Sequence, residues 1–301
     1  MDLPGKQDFI QVVKEITEQC NVQVKFVPVS GRPGGYVLRV LHECRDMLNG
    51  EGLTNVCDYG AAEQGAVIVD SSRSYGPKYI GYEKNKNLKA QIDKILRHNE
   101  HHSVISDEPD KLYTCSVHII NEAKAEMTEE EQQAVYKSVR GDIWQQFGQD
   151  TLFIAMAHNC MEVMHKEISK SKAIDMILAK YRKDFDVVGM CMCGDAENDK
   201  VALLHMSHLA EIPGVRAHVF TPSNAQQAVS TAILERWKME NPHTSENRIR
   251  KSHLRLFRGI TYLIRDELAN KRLVGEGLRR WSRSFDDLDL PQDRPILARL
   301  L

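Results

Sequence analysis

The sequence predicts an α/β protein: a doubly wound (Rossmann-like) parallel sheet with an inserted α+β domain and a helical C-terminal extension. Three observations predict it. Apolar runs with helical spacing alternate with short β-branched runs at both ends of the first 235 residues, as in strand–helix units built around a parallel sheet. Between Lys78 and Ala157 the pattern changes to helix, polar loop, strand, long helix and strand. From Arg236 onward the chain reads as helical and basic. The expected divisions are therefore 1–77 and 158–235 for the two parts of the core, 78–157 for the insert and 236–301 for the extension.

Each element has its own signal. Phe9, Val12, Val13 and Ile16 share one helical face. VQVKFVPVS is a strand rich in β-branched residues, stopped by the Gly and Pro of SGRPGG. YVLRVLHECRDML returns to helical spacing, and NVCDYG and GAVIVD are short strands expected to continue the parallel alternation. Inside the insert, NLKAQIDKILRH and TEEEQQAVYKSVRGDIWQQF are helices, YTCSVHII and LFIAMA are strands, and DEPDK is a turn. The core resumes with the helix SKAIDMILAKYRK, the strand VVGMCMC, the helix NDKVALLHMS and the strand VRAHVF. A further helix is expected near SNAQQAV, with Ser223 as its N-cap.

Composition narrows the class. The chain has 301 residues, 42% of them hydrophobic, enough for a large core. A formal charge of −2 gives no global attraction to nucleic acid or anionic membrane. Seven cysteines, an odd number lying in apolar segments, fit reduced thiols rather than a disulfide framework. The start MDLPGKQDFI lacks the basic and apolar regions of a secretory signal, and no apolar run approaches the ~20 residues that span a bilayer. A cytoplasmic location without membrane partners is expected.

The chemistry collects at the carboxyl ends of the core strands, where open α/β sheets bind ligands. Ser30, Gly31 and Arg32 follow the first strand. Gly194, Asp195, Glu197, Asn198 and Asp199 follow VVGMCMC. Lys170 opens a helix between them in sequence. Ser30 and loop amides can donate to phosphate oxygens, Lys170 can neutralise phosphoryl charge, and Asp195 can hold Mg²⁺ with water and substrate oxygens.

In this order VPVSGRP, AAEQGAVIVD, ISKSKAIDMIL and CGDAENDKVALL resemble the motifs of the haloacid dehalogenase superfamily. They are most similar to its sugar-phosphate phosphatase branch, which carries a large inserted cap. The second motif matches Ser30-Gly31-Arg32, and a following turn matches Glu63, Gln64, Gly65 and Ala66, with Gln in place of Asn. The third-motif lysine matches Lys170, with Lys172 as the other register, and Gly-Asp-x-x-Asn-Asp matches Gly194, Asp195, Asn198 and Asp199. Asn224 and Ala225 resemble the family's later Asn-Ala turn. The resemblance covers residues 9 to 233. It implies Mg²⁺-dependent phosphomonoester hydrolysis of a small phosphorylated ligand. It also implies catalytic positions at Ser30, Lys170 and Asp199, substrate-binding positions at Gly31, Arg32, Gln64 and Asn198, and a metal position at Asp195.

One part of the resemblance is missing. The family's first motif, Asp-x-Asp-x-Thr, ends an initial apolar strand ahead of the first helix and supplies the nucleophile. Here the sequence opens at that helix, and Asp2 and Asp8 follow no apolar strand. Asp70 does end a strand, but it falls after the second motif and has no second aspartate. Three readings follow: a phosphatase-like module without hydrolysis, a piece of a longer or split enzyme, or an enzyme using other residues.

Other features read more plainly. Cys191 and Cys193 alternate along a buried strand with no second pair to complete a zinc site. His98, His101 and His102 belong to a polar loop of the insert. In the extension, Leu254, Phe257, Ile260 and Ile264 have helical spacing beneath a basic face. That face is expected to solvate a core-packed helix, or to mediate self-association or the binding of a protein or nucleic-acid partner.

Overall fold

The stripe Phe9–Val12–Val13–Ile16 forms the buried face of helix α1 (Leu3–Cys20), each residue no more than 2% exposed in the computed structural model of the protein. The structure describes residues 3–72, 78–79, 87–156, 160–194, 197–209, 216–221, 249–251, 263–268 and 296–300. Strand β1 (Gln23–Phe26) follows, then helix α2 (Gly34–Asn49), whose Val37, Leu41, Cys44 and Leu48 face the same core. Helix α6 (Lys170–Tyr181), strand β9 (Asp186–Cys193), helix α7 (Lys200–Leu209) and strand β10 (Arg216–Thr221) continue the alternation.

With β11 (Ile249–Lys251) and β12 (Ile296–Leu300), these strands form one five-stranded sheet, wholly parallel, in the order β1-β12-β9-β10-β11. Its two faces are covered separately, as a parallel sheet requires. Cys191 joins the core built on α1 and α2, while Met190 and Met192 pack with Ile174 and Leu178 of α6 and Leu203 and Met206 of α7. The doubly wound α/β core predicted from the sequence is present.

The last two strands come from the segment expected to be a helical extension. Strand β11 forms the sheet edge beside β10, and strand β12 lies between β1 and β9. A helical stretch, α8 (263–268), buries Leu263, Ile264 and Leu268 in the α1/α2 core. The described parts of 236–301 therefore belong to the core: α8 fits the core-packed helix expected around Ile264, while β11 and β12 correct the expectation of a separate, helical extension. The run ILARL is short and interrupted by Arg299, so its local pattern does not announce a strand. Leu254, Phe257 and Ile260, Asn224 and Ala225, and the helix expected at Ser223 lie outside the described residues.

Two further expectations change. Strands β2 (Tyr59–Ala62) and β3 (Val67–Asp70) pair antiparallel and, with β4 (Lys78–Tyr79), form a separate three-stranded sheet. Only the 3₁₀ turn Glu63–Gly65 joins β2 to β3, too short for the crossover that parallel strands need. The insert also extends past 157. Its antiparallel sheet consists of β5 (Ile105–Asp107), β6 (Cys115–Ile119), β7 (Leu152–Met156) and β8 (Met161–His165), in the order β5-β6-β8-β7. Strand β8 pairs with both β6 and β7, so a boundary at 157 would cut the β7–β8 hairpin.

Helix α3 (Leu88–His98) precedes this sheet, and the short helix α4 (Asn121–Glu126) leads from β6 to helix α5 (Glu129–Phe147). Helices α3 and α5 cover one face of the sheet with Ile92, Val139 and Ile143. Thr128 starts α5 with a full capping box to Glu131. By strand alternation the other face carries Ser116 and Glu162, which pair across β6 and β8, with Ala155 opposite Glu162 on β7. Among the described residues, no helix is long and apolar enough to cross a membrane.

Candidate functional site

Beyond β1 the chain stays extended to Val29, which bridges Ala61 of β2. Ser30 donates its N–H to Ala61 O at 2.9 Å, and its Oγ accepts the N–H of Arg32 at 3.1 Å. The 3₁₀ turn then closes on this loop. Gln64 N donates to Ser30 O at 3.1 Å and Glu63 N to Arg32 O at 2.9 Å. Glu63 and Gln64 both hold left-handed backbone, φ 50° and 58°, which costs free energy for non-glycine residues and recurs at functional sites. Gly65 follows at φ 97°, and a Cβ there would lie 2.4 Å from Ser169 O. The turn thus sits against the start of α6.

At that start Ser169 caps the helix, accepting Lys172 N at 3.2 Å, and Lys170 points inward. Lys170 is 5% exposed and its Nζ meets Asp199 Oδ1 at 2.5 Å. Asp199 ends the 3₁₀ turn Glu197–Asp199 that follows β9, and its Cβ lies so close to Gly194 that a side chain there would clash at 2.7 Å. Burial, with the Asp199 charge adding to it, pushes the Cys193 thiol up to about 12. Lys172, the other register, is exposed on the first turn of α6, so the inward position belongs to Lys170.

The predicted residues separate into groups. Ser30, Gly31, Lys170, Gly194, Asn198 and Asp199 lie at one sheet edge, joined through the Glu63–Gly65 turn. Arg32 is 61% exposed and reaches the insert instead, where Nη1 meets Glu108 Oε1 at 3.3 Å. Gln64 is buried, and its Nε2 has no hydrogen-bond partner among the described residues. Asp195, the metal position, lies outside the described residues.

Sequence reasoning missed the seam between core and insert. Lys111, from the segment read as a simple turn, is 1% exposed and binds Glu162 at 2.9 Å and 3.1 Å, Ser116 Oγ, and Glu108 at 3.4 Å. Cys160 donates to Glu162 at 3.5 Å, and burial together with that carboxylate raises its thiol to about 12. A Cβ on Gly31 would meet both Gln64 Nε2 and Glu162 Oε1, so the core loop and the insert's open face touch here. Glu63 crosses the same seam and accepts the N–H groups of Leu112, Tyr113 and Thr114 at 2.7–3.1 Å. Burial pushes its carboxyl above the ordinary range, against the pull of those amides and of Lys111. The legible signal was Glu162, a charge set in the apolar strand Met-Glu-Val-Met.

Other acidic groups are engaged elsewhere. Asp8 faces Arg265 at 3.8 Å, and Asp70 accepts the N–H and Oγ of Ser72. His98 and His102 bond nearby backbone carbonyls, and His101 faces Glu100 at 3.6 Å. Asp93, Asp107 and Cys115 come within 4.8 Å of one another, but Lys89 already sits on Asp107 at 3.0 Å.

Residues 6–210 match the haloacid dehalogenase-like hydrolase family. Among solved structures, Thermoplasma acidophilum 0175 is similar at TM-score 0.52 and 12% identity, over 86% of this chain and 89% of that one. SMU.1108c from Streptococcus mutans is similar at TM-score 0.52 and 14% identity, over 87% and 91%. The C-terminal domain of the Candida albicans trehalose synthase regulatory protein is similar at TM-score 0.50 and 12% identity, over 71% and 90%. These likenesses concern the fold. No curated protein matches the sequence at a significant level.

Proposed function

The chain belongs to the haloacid dehalogenase-like hydrolases, and on that premise we propose that it binds a sugar phosphate or related phosphomonoester, with hydrolysis impaired. The phosphate sits against Ser30, Lys170 and the loop amides, and the hydroxyl-bearing part lies under the cap formed by the insert. The observation that carries this reading is the buried Lys170–Asp199 pair at 2.5 Å, held at the same sheet edge as Ser30. A buried cation at the same edge as a hydroxyl favours a polyanionic ligand oxygen.

The seam supports the hydroxyl half of the ligand. Lys111, Glu162 and Glu108 are fixed in a water-poor cluster, and Gln64 Nε2 adds a donor without a partner among the described residues. Hydroxyl groups, which both donate and accept, are matched by such mixed partners.

Impairment follows from the carboxylates. The resemblance asks for a nucleophilic aspartate, yet Asp8 and Asp70 are engaged elsewhere and Asp199 is held by Lys170. Hard oxygen donors at this edge suit Mg²⁺, and Asp195, with substrate oxygens and water, is the residue that would hold it. The ion, when bound, would supply charge neutralisation at the phosphate.

Titration with inorganic phosphate and with a hexose monophosphate, with and without Mg²⁺, tests the reading. Saturable binding is expected, weakened about tenfold or more in Lys170→Met, with turnover near background. Rapid Mg²⁺-dependent turnover lost in Asp195→Ala would overturn the impairment. No binding of either ligand would overturn the phosphate site.

A further inference from the structure

Strand β12 is parallel to both of its neighbours, so its carboxyl end emerges at the edge that carries the candidate site. Its register is explicit. Leu300 is level with Phe26 of β1 and with Cys191 of β9. Ser30 lies four residues beyond Phe26, and Gly194 lies three beyond Cys191. The carboxyl end of β12 thereby lies between the chain that leads to Ser30 on one side and the chain that leads to Gly194 and Asp199 on the other. A group acting on a phosphate from the middle of this edge has to come from the strand between β1 and β9, because side chains at the ends of β1 and β9 already form the flanks.

We infer that Ile296–Leu300 takes the place of the strand whose end presents the nucleophile in this family, so that a slot expected to hold an early strand holds a late one. The inference rests on the phosphate-site reading of Ser30, Lys170 and Asp199. The composition of the segment fits the position. Four of the five residues of Ile-Leu-Ala-Arg-Leu are apolar, with Arg299 the exception, which suits an interior strand of a parallel sheet. Pro295 stands just before it, where the missing N–H costs the least. Among the described residues, no other strand lies between β1 and β9.

The consequence is a change in how the site is held. With β12 in place, β1 and β9 are separated by one strand, and the spacing between Ser30 and the Lys170–Asp199 pair is set by its two ladders. The C-terminal segment is thus a positioning element for the phosphate site.

Two experiments on the full chain test this. Val24 and Ala298 are directly paired across β1 and β12. Adjacent strands bring such pairs within disulfide range, about 5 Å between Cα atoms. The double variant Val24→Cys with Ala298→Cys, oxidised by oxidised glutathione and mapped by mass spectrometry, is expected to give an intrachain disulfide joining these two positions. An interchain link, or none while the chain remains folded, overturns the assignment of the chain's own strand to the slot. The second variant is Ala298→Pro, which removes an N–H in mid-strand. It is expected to lose amide protection across 23–26 and 186–193 while the cap strands 115–119 and 161–165 keep theirs, and to weaken inorganic phosphate binding about tenfold or more. Unchanged protection in β1 and β9 overturns the inference, as does lost protection with phosphate affinity unchanged. If the unaltered chain binds no phosphate, the phosphate-site reading has failed, while the cross-link and the exchange pattern still decide the place of the strand.

Discussion

Glu63 Oε2 accepts the backbone N–H of Tyr113 at 2.7 Å, so a carboxylate of the core turn anchors the loop that leads into the cap's strand β6. Burial raises the Glu63 carboxyl above its ordinary range, which means that ionisation is harder in the folded chain than in the unfolded one. Its stabilising share is complete below the ordinary carboxylate range and is lost as pH rises through the folded value. Glu63→Gln cannot ionise. Thermal melts should show the variant level with the unaltered chain near about pH 4 and gaining on it toward neutrality. A variant that instead loses ground as pH rises would show that the three amide donors outweigh burial.

The Lys170–Asp199 pair predicts a non-additive cycle. Either partner alone, in Lys170→Met or Asp199→Asn, leaves a mostly buried group without its mate and should cost about 3 kcal/mol. The double variant should cost much less than the sum of the two. Urea unfolding of the four chains measures the coupling, and additive costs would refute a coupled pair.

Arg32 predicts the opposite balance. Its ion pair to Glu108 is largely exposed on the arginine side, so Arg32→Ala should change stability by less than about 1 kcal/mol. Binding of a phosphorylated ligand should nevertheless weaken, since the guanidinium stands at the mouth between core and cap. Calorimetric stability and ligand titration on the same variant separate the two effects.

Truncation after Glu235 should abolish cooperative unfolding. It removes β11 and β12 from the sheet and Leu263, Ile264 and Leu268 from the core. Ile264→Ala in the full chain, a milder change, should cost about 2–5 kcal/mol. A truncated chain that still melts sharply would restore the extension as a separate unit.

Gly65→Ala should destabilise by about 2 kcal/mol or more, because φ is 97° and the new Cβ meets a backbone carbonyl that cannot swing away. Denaturant unfolding reads the cost, and ligand binding should fall with it, since the turn joins Ser30 to the start of α6.

The local signals were carried by the sequence itself. Side-chain periodicity is a property of neighbouring residues, so the stripes of α1 and α2 and the strand β9 could be read directly. The shared edge was legible in part for a related reason. Ser30 and Asp199 each follow a strand of the parallel sheet, whose carboxyl ends lie on one side, while Lys170 opens a helix and its approach to Asp199 is a tertiary contact.

The remaining features depend on partners distant in sequence. Lys111 and Glu162 are 51 residues apart, and neither has a local pattern that announces a buried pair. Arg32 looks like a phosphate ligand in its loop, and only the placement of the cap shows Glu108 beside it. The largest case is β12. Strand pairing is a non-local bond between backbones, and five residues at 296–300 carry no mark of joining β1 at 23–26. Helices α1 and α2 and strands β1 and β9 could be read in advance, because their periodicity is written in short-range order. Which strand lies between β1 and β9 was settled by tertiary packing, because backbone hydrogen bonds pair whatever segment fits the slot, regardless of its place in the chain.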